Sequence, residues 1–101
     1  MIRAIWCPDR ARWMTYRSRG SFYLAPREVG GLFDFWFFCP CGCGQQTCIL
    51  IGQGFVPGGS ERAWRWNGSR TEPTLDPSVS IVHGDHGKFA WWLENGYWAE
   101  T

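Results

Sequence analysis

Four of the five cysteines of this chain lie in one short stretch, "FFCPCGCGQQTCIL", residues 37–50. Three of them, Cys39, Cys41 and Cys43, occupy every second position. The only two histidines, His83 and His86, lie in "VHGDHG", residues 82–87, spaced His-x-x-His. Zinc asks for four soft or borderline ligands in a tetrahedron, commonly two from each of two tight turns. Gly42, Gly44, Gly84 and Gly87 let each turn bend closely around an ion. The pattern points to one structural Zn²⁺ held by Cys41, Cys43, His83 and His86, with Cys39 as the substitute ligand. A Cys₃His set is the alternative. Cys7 and Cys48 read as ordinary buried thiols rather than ligands. An odd number of cysteines fits full disulfide pairing badly. Iron–sulfur clusters use other spacings, and a redox Cys-x-x-Cys is absent.

Catalysis is not the expectation. A catalytic zinc keeps an open position beside an acid–base group, and Asp85 is the one acid certain to be near. The sequence reads as having no zinc-deaminase signature, no phosphate loop, no paired carboxylates at useful spacing and no Ser/His/Asp set. Trp64, Arg65, Trp66, Trp91 and Trp92 form a candidate binding surface, since Trp and Arg dominate protein interfaces. Adjacent strand residues face opposite ways, so at most one of Trp91 and Trp92 enters the core of a one-sided sheet. Trp64, Arg65 and Trp66 could also stack on and pair with a nucleic-acid strand. The net charge of +1 argues against that as the main role. Carbohydrate binding by exposed Trp is a weaker third reading.

The elements that must position these residues are strands. "LFDFWFF" (32–38) and "TCILI" (47–51) read as a hairpin with the cysteines at its tip. In the first of these strands Phe33, Phe35 and Phe37 share one face. "SVSIV" (78–82) and "KFAWWLE" (88–94) form a second hairpin with the histidines at its tip. "IRAIW" (2–6), "FYLA" (22–25) and "RAWRW" (62–66) are further strands. "NG" (95–96) is a type I′ turn into "YWAE" (97–100). Residues 7–21 read as an irregular Arg-rich loop with at most one helical turn. The expected fold is mostly β, a small antiparallel sheet of hairpins with a zinc-ribbon-like site formed by two hairpin tips. Residues 1–101 are expected to form a single zinc-binding β domain, with 1–31 as an Arg-rich N-terminal part.

At 101 residues with eight Trp, seven Phe and three Tyr, the chain holds more aromatic material than it can easily hide, so some rings are expected at the surface. Charge is unevenly placed. Residues 1–27 carry six Arg against Asp9, and residues 71–101 carry five acids against Lys88. The two ends are expected to meet and neutralise one another. No apolar run approaches a membrane span, and the start has no signal-peptide pattern. The expectation is therefore a cytoplasmic protein of a bacterial host cell, with no membrane partner.

"CPCGCG" (39–44), "WRW" (64–66), "PTLDPS" (73–78) and "HGDHG" (83–87) follow one another in an order that resembles a family of small bacterial and phage proteins. That family is a domain of unknown function with a CPCGCG box, W-x-W, PTL-x-PS and a Cys-x-x-His-Gly element. The resemblance spans about residues 32–98 and leaves the Arg-rich start outside. His83 stands where the family usually has Cys, and imidazole is a sound zinc ligand. The resemblance implies a setting in phage and prophage genomes and in bacterial gene neighbourhoods encoding ubiquitin-like conjugation machinery. Together these readings give an expected function: a phage- or prophage-encoded accessory protein with structural zinc, acting as an adaptor or inhibitor on an unidentified protein partner. The alternative is a nucleic-acid-binding zinc ribbon using Arg and Trp side chains.

Overall fold

The computed structural model describes residues 2–27, 31–53, 63–83 and 87–100, with backbone alone at 53, 77, 80–83 and 87–89. Eight strands form one sheet: β1 (Ile2–Arg3), β2 (Phe22–Pro26), β3 (Leu32–Phe38), β4 (Gln46–Gln53), β5 (Ala63–Trp66), β6 (Leu75–His83), β7 (Gly87–Glu94) and β8 (Tyr97–Glu100). A helix, α1 (Arg10–Tyr16), lies between β1 and β2. The sheet order is β1-β8-β7-β6-β5-β4-β3-β2. Its two edges then meet. Beyond β1 the chain bridges β2 in parallel at Trp6↔Phe22, with Cys7 N–H donating to Phe22 O at 2.9 Å and Phe22 N–H to Ile5 O at 2.9 Å. The sheet thus curls on itself, which removes its open edges as a barrel does.

Alternation decides what fills the interior. Phe35 and Phe37 are fully buried, and Phe33 packs against the same cluster. Phe22, Ile51, Val79, Leu93 and Trp98 complete that core. Phe35 and Phe37 meet each other at 5.5 Å, and Phe37 meets Trp98 at 5.0 Å between ring centroids. The Asn95-Gly96 turn has positive φ at both residues, 51° and 86°, as a type I′ turn requires.

Three features depart from the sequence reading. First, one pairing is parallel: β4 and β5 run together, Leu50 opposite Ala63 and Gln53 opposite Trp66. The connection that makes this possible, 54–62, lies outside the described residues. Second, the Arg-rich loop contains α1, about two turns long. Asp9 caps it, its Oδ1 accepting from Ala11 N at 2.9 Å. Arg17 ends it in the left-handed region at φ 51°, its N–H donating to Trp13 O at 3.1 Å. Third, among the described residues the only salt bridge is Arg27–Asp34, at 3.7 Å. The chain ends do meet through β1 and β8, but the described arginines of residues 3–19 have no carboxylate partner among the described residues.

Strand direction fixes which loops share an end. β3 ascends into the cysteine tip and β4 descends from it. β5 runs with β4, so β6 ascends and β7 descends again. The β3–β4 and β6–β7 tips therefore stand at the same end of the sheet. The opposite end is covered by the β5–β6 connection, where the Arg70 guanidinium lies over the rings of Trp66, Trp6 and Phe33 at 5.3, 5.5 and 5.7 Å.

Candidate metal centre at one end of the sheet

The β3–β4 ladder continues one step past Phe38, because Cys39 N–H donates to Gln45 O at 2.9 Å. The chain then folds tightly: Gly42 N–H donates back to Cys39 O at 3.1 Å. Gly42 and Gly44 sit at φ 89° and 84°, where a side chain would be strained. This turn gathers Cys39, Cys41 and Cys43 so that all three sulfurs lie within 4.8 Å of one another. The sulfurs of Cys39 and Cys41 are 3.1 Å apart. Cys39 is buried, Cys41 half-buried and Cys43 exposed, so the trio opens from the core towards solvent. Three thiols at this spacing could hold a metal ion. Cys7 and Cys48 stand apart: Cys7 Sγ contacts Asp9 O at 3.4 Å, and Cys48 is exposed opposite Trp36.

The thiols differ electrically. Burial, with the Cys41 contact adding to it, pushes Cys39 up to about 12. At Cys41 burial acts the same way, but hydrogen bonds from the Cys39 and Cys43 thiols and from backbone N–H groups outweigh it and lower the thiol. Two arginines after α1 border the trio. Arg17 Nη2 donates to Gly44 O at 3.0 Å while its guanidinium lies over Phe38, 5.0 Å from the ring centroid. Arg19 passes so close to Gly42 that a Cβ there would stand 3.5 Å from Arg19 Cδ. Sequence reasoning missed both, because they are twenty or more positions from the thiols. Only the docking of Gly20 on β3, through Gly20 N–H to Phe38 O at 2.9 Å, brings them there.

At the second tip His83 ends β6 and pairs in register with Gly87 of β7. The His83 side chain and all of Asp85 and His86 lie outside the described residues, so the described structure gathers the three thiols but does not place the imidazoles. Of the serines, Ser21 is buried and its hydroxyl donates to Ser18 O at 2.6 Å. Ser69 Oγ accepts from Glu72 N at 2.9 Å. Ser18 is exposed and Ser78 half-buried. The side chains of Ser60 and Ser80 are outside the described residues.

The five residues of the expected binding surface are scattered. Trp66 and Trp91 are only 3% and 7% exposed and belong to the core cluster, so neither offers a contact face. Curling the sheet gives its inner face more area to fill, and these rings fill it. Trp64 is half-buried, with Nε1–H donating to Ser78 O at 3.2 Å. Arg65 and Trp92 are exposed. No helix among the described residues is long and apolar enough to cross a membrane.

Residues 8–101 match the family of the bacterial ubiquitination-like system serine protease (BubE), and the chain belongs to that family. No curated protein and no solved structure matches. The ubiquitin-like conjugation setting implied by the sequence resemblance stands in the family's description. Two expectations are overturned by it. The chain is not to be read as a zinc adaptor or a nucleic-acid-binding zinc ribbon, and the expectation that it is no enzyme falls, because its family is named for a protease. The physical reason for the error is that a nucleophile and its base are neighbours in space, in no fixed order or spacing along the chain. The absence of a familiar motif therefore excluded nothing.

Proposed function

We propose that this chain is a serine protease of a bacterial ubiquitination-like system, with a protein as its substrate, and that its three clustered thiols hold one structural zinc ion. The observation that carries the proposal is the family match over nearly the whole chain. The composition then narrows the chemistry. A serine nucleophile needs a neighbouring group to take the Oγ proton as Oγ attacks the amide carbonyl. The groups that most often do this are imidazole and lysine, and the chain has few of them: His83, His86 and Lys88. All three belong to the β6–β7 tip or its first flanking positions. The base of the reaction therefore belongs to that end of the sheet. The nucleophile comes from Ser18, Ser60, Ser78 or Ser80, since the Ser21 hydroxyl donates to Ser18 O and Ser69 lies on the β5–β6 connection at the other end of the sheet.

The zinc reading rests on donor chemistry. Zn–S bonds of roughly 2.3 Å set sulfurs about 3.8 Å apart in a tetrahedron, and the three thiols already lie within 4.8 Å. Three thiolates leave one position, which one histidine of the neighbouring tip fills, leaving the other for acid–base work. This favours Cys39, Cys41 and Cys43 with His83 or His86 over two cysteines with both histidines. Zinc supplies a staple between the two tips here.

A fluorophosphonate probe tests the activity. The zinc-loaded chain should be labelled on one serine among the four, located by peptide mass spectrometry. Replacing that serine by Ala should abolish both labelling and cleavage of a C-terminal fusion to the ubiquitin-like protein of the same system. One of His83→Ala and His86→Ala should do so with zinc retained. A folded, zinc-loaded chain that neither reacts with the probe nor cleaves the fusion refutes the proposal.

A further inference from the structure

Among the described residues five large hydrophobic side chains are exposed: Ile5, Trp6, Tyr16, Trp92 and Tyr97. Three of the five surround one cavity. Ile5 (56% exposed), Trp6 (37%) and Tyr16 (73%) line a space of about 380 Å³ between the segment that follows β1 and the outer side of α1. That volume admits one large apolar side chain with part of its backbone. Trp13, also in the lining, cannot fill it, because its ring turns inward against Phe38 at 4.4 Å. A row of apolar groups left in water around a concavity costs stability, and it marks a binding site more often than scattered exposed residues do.

The charges say what fits. Arg12 is the one cation in the cavity lining. Asp9, the one acid there, already accepts the Ala11 N–H as helix cap. Arg10, Arg17 and Arg19 stand exposed on and after the same helix, with no carboxylate partner among the described residues. On the other side of Ile5 and Trp6 a second cavity, of about 230 Å³, is lined by Arg3 and Arg70. Neither of these has a carboxylate partner among the described residues. Arg3 is held in place by donating from Nη2 to Thr71 O at 2.6 Å and by lying over the Tyr97 ring. An apolar ridge thus runs between guanidinium groups on both sides.

We infer that this seam is a docking site for an acidic protein segment, which inserts one large apolar side chain beside Tyr16 and sets carboxylates against Arg12 on one side and Arg3 and Arg70 on the other. Arginine's planar fork pairs bidentately with a carboxylate, and opposite charge raises the rate of encounter. The site lies beside α1, with Ser18 also in its lining, and the inference does not depend on the chain being a protease.

The test is selection from a random eight-residue peptide display library on the full zinc-loaded chain, followed by affinity measurements on the enriched peptides. The enriched set should carry Leu, Phe, Trp or Met flanked by Asp or Glu. Tyr16→Ala and Arg12→Glu should each weaken binding at least tenfold. Both residues are exposed on the helix surface, so their thermal unfolding should stay as in the native chain. Replacing the peptide's apolar anchor by Ala should weaken binding as much. No enrichment, a basic consensus, or peptides that bind both variants as tightly as the native chain overturns the inference. So does a concentration-dependent dimer that these two substitutions dissolve, since the occupant would then be a second copy.

Discussion

Replacing Trp13 by Ala should destabilise the fold by about 3–5 kcal/mol and loosen the thiol trio with it. Trp13 is 2% exposed. A buried Trp hides roughly 150–250 Å², which at ~25 cal/mol/Å² is about 4–6 kcal/mol as an upper bound. Measured truncations of large buried aromatics cost about 3–5 kcal/mol. The loss is specific in kind. Trp13 is the only buried residue of α1, packed on Phe38 at 4.4 Å and Tyr23 at 6.3 Å between ring centroids. Its Nε1–H donates to Ser21 O at 3.2 Å. A helix of seven residues does not persist in water without such an anchor. Undocked, it would release Arg17 from Gly44 O and carry Arg19 away from Gly42. Trp13→Phe keeps a ring and loses mainly the hydrogen bond, so it should cost only about 1–2 kcal/mol. Urea unfolding of the three proteins gives the stabilities, and zinc titration against a chromophoric chelator gives the affinities. The reasoning is refuted if Trp13→Ala costs less than about 1 kcal/mol, or no more than Trp13→Phe.

Further outcomes follow from the same geometry. Purified, untagged protein should carry about one zinc ion by elemental analysis. Cys39→Ser, Cys41→Ser and Cys43→Ser should each lower that content, while Cys7→Ser and Cys48→Ser leave it unchanged; full zinc in all three trio variants would end the metal reading. Chelation should leave most of the sheet formed by far-ultraviolet circular dichroism, because Cys39 is the one thiol buried in a core otherwise filled by side chains such as Phe35, Phe37, Val79 and Trp98; global unfolding on chelation would show that core to be insufficient. Gly20→Ala should cost ~1–3 kcal/mol, because Gly20 has φ +76° and a Cβ would stand 3.0 Å from both Ile2 Cγ2 and Trp98 Cδ1. A neutral result in thermal denaturation would contradict that close approach.

Most strands were legible because they are short, alternating and bounded by turn residues, but the strand expected over 2–6 is only Ile2–Arg3, and the one expected over 78–82 begins at Leu75. β3 and β8 occupy the spans that their sequences delimit, 32–38 and 97–100, and Asn95-Gly96 names its own turn. The thiol trio was legible too, since local spacing and the glycines after Cys41 and Cys43 suffice to gather sulfurs from one hairpin tip. α1 was not. "RARWMTY" has one buried residue, too few to write a helical stripe, and its stability comes from the cap at Asp9 and the seat of Trp13 on Phe38.

What only the tertiary structure decided is which side of each strand became interior and what stands near what. Trp64 and Trp66 share a strand face in the sequence, yet Trp66 is core and Trp64 half-buried, a difference of depth that alternation along the strand does not carry. The docking of Gly20 on β3 brings Arg17 and Arg19 to the thiols, and the bridge of Trp6 to β2 leaves Ile5, Trp6 and Tyr16 around one cavity. The protease family was hidden from local reading for a related reason. The few groups able to act as base are plain in the sequence, but the serine each could serve is fixed by how the strands are laid side by side, and that arrangement is written in long-range packing.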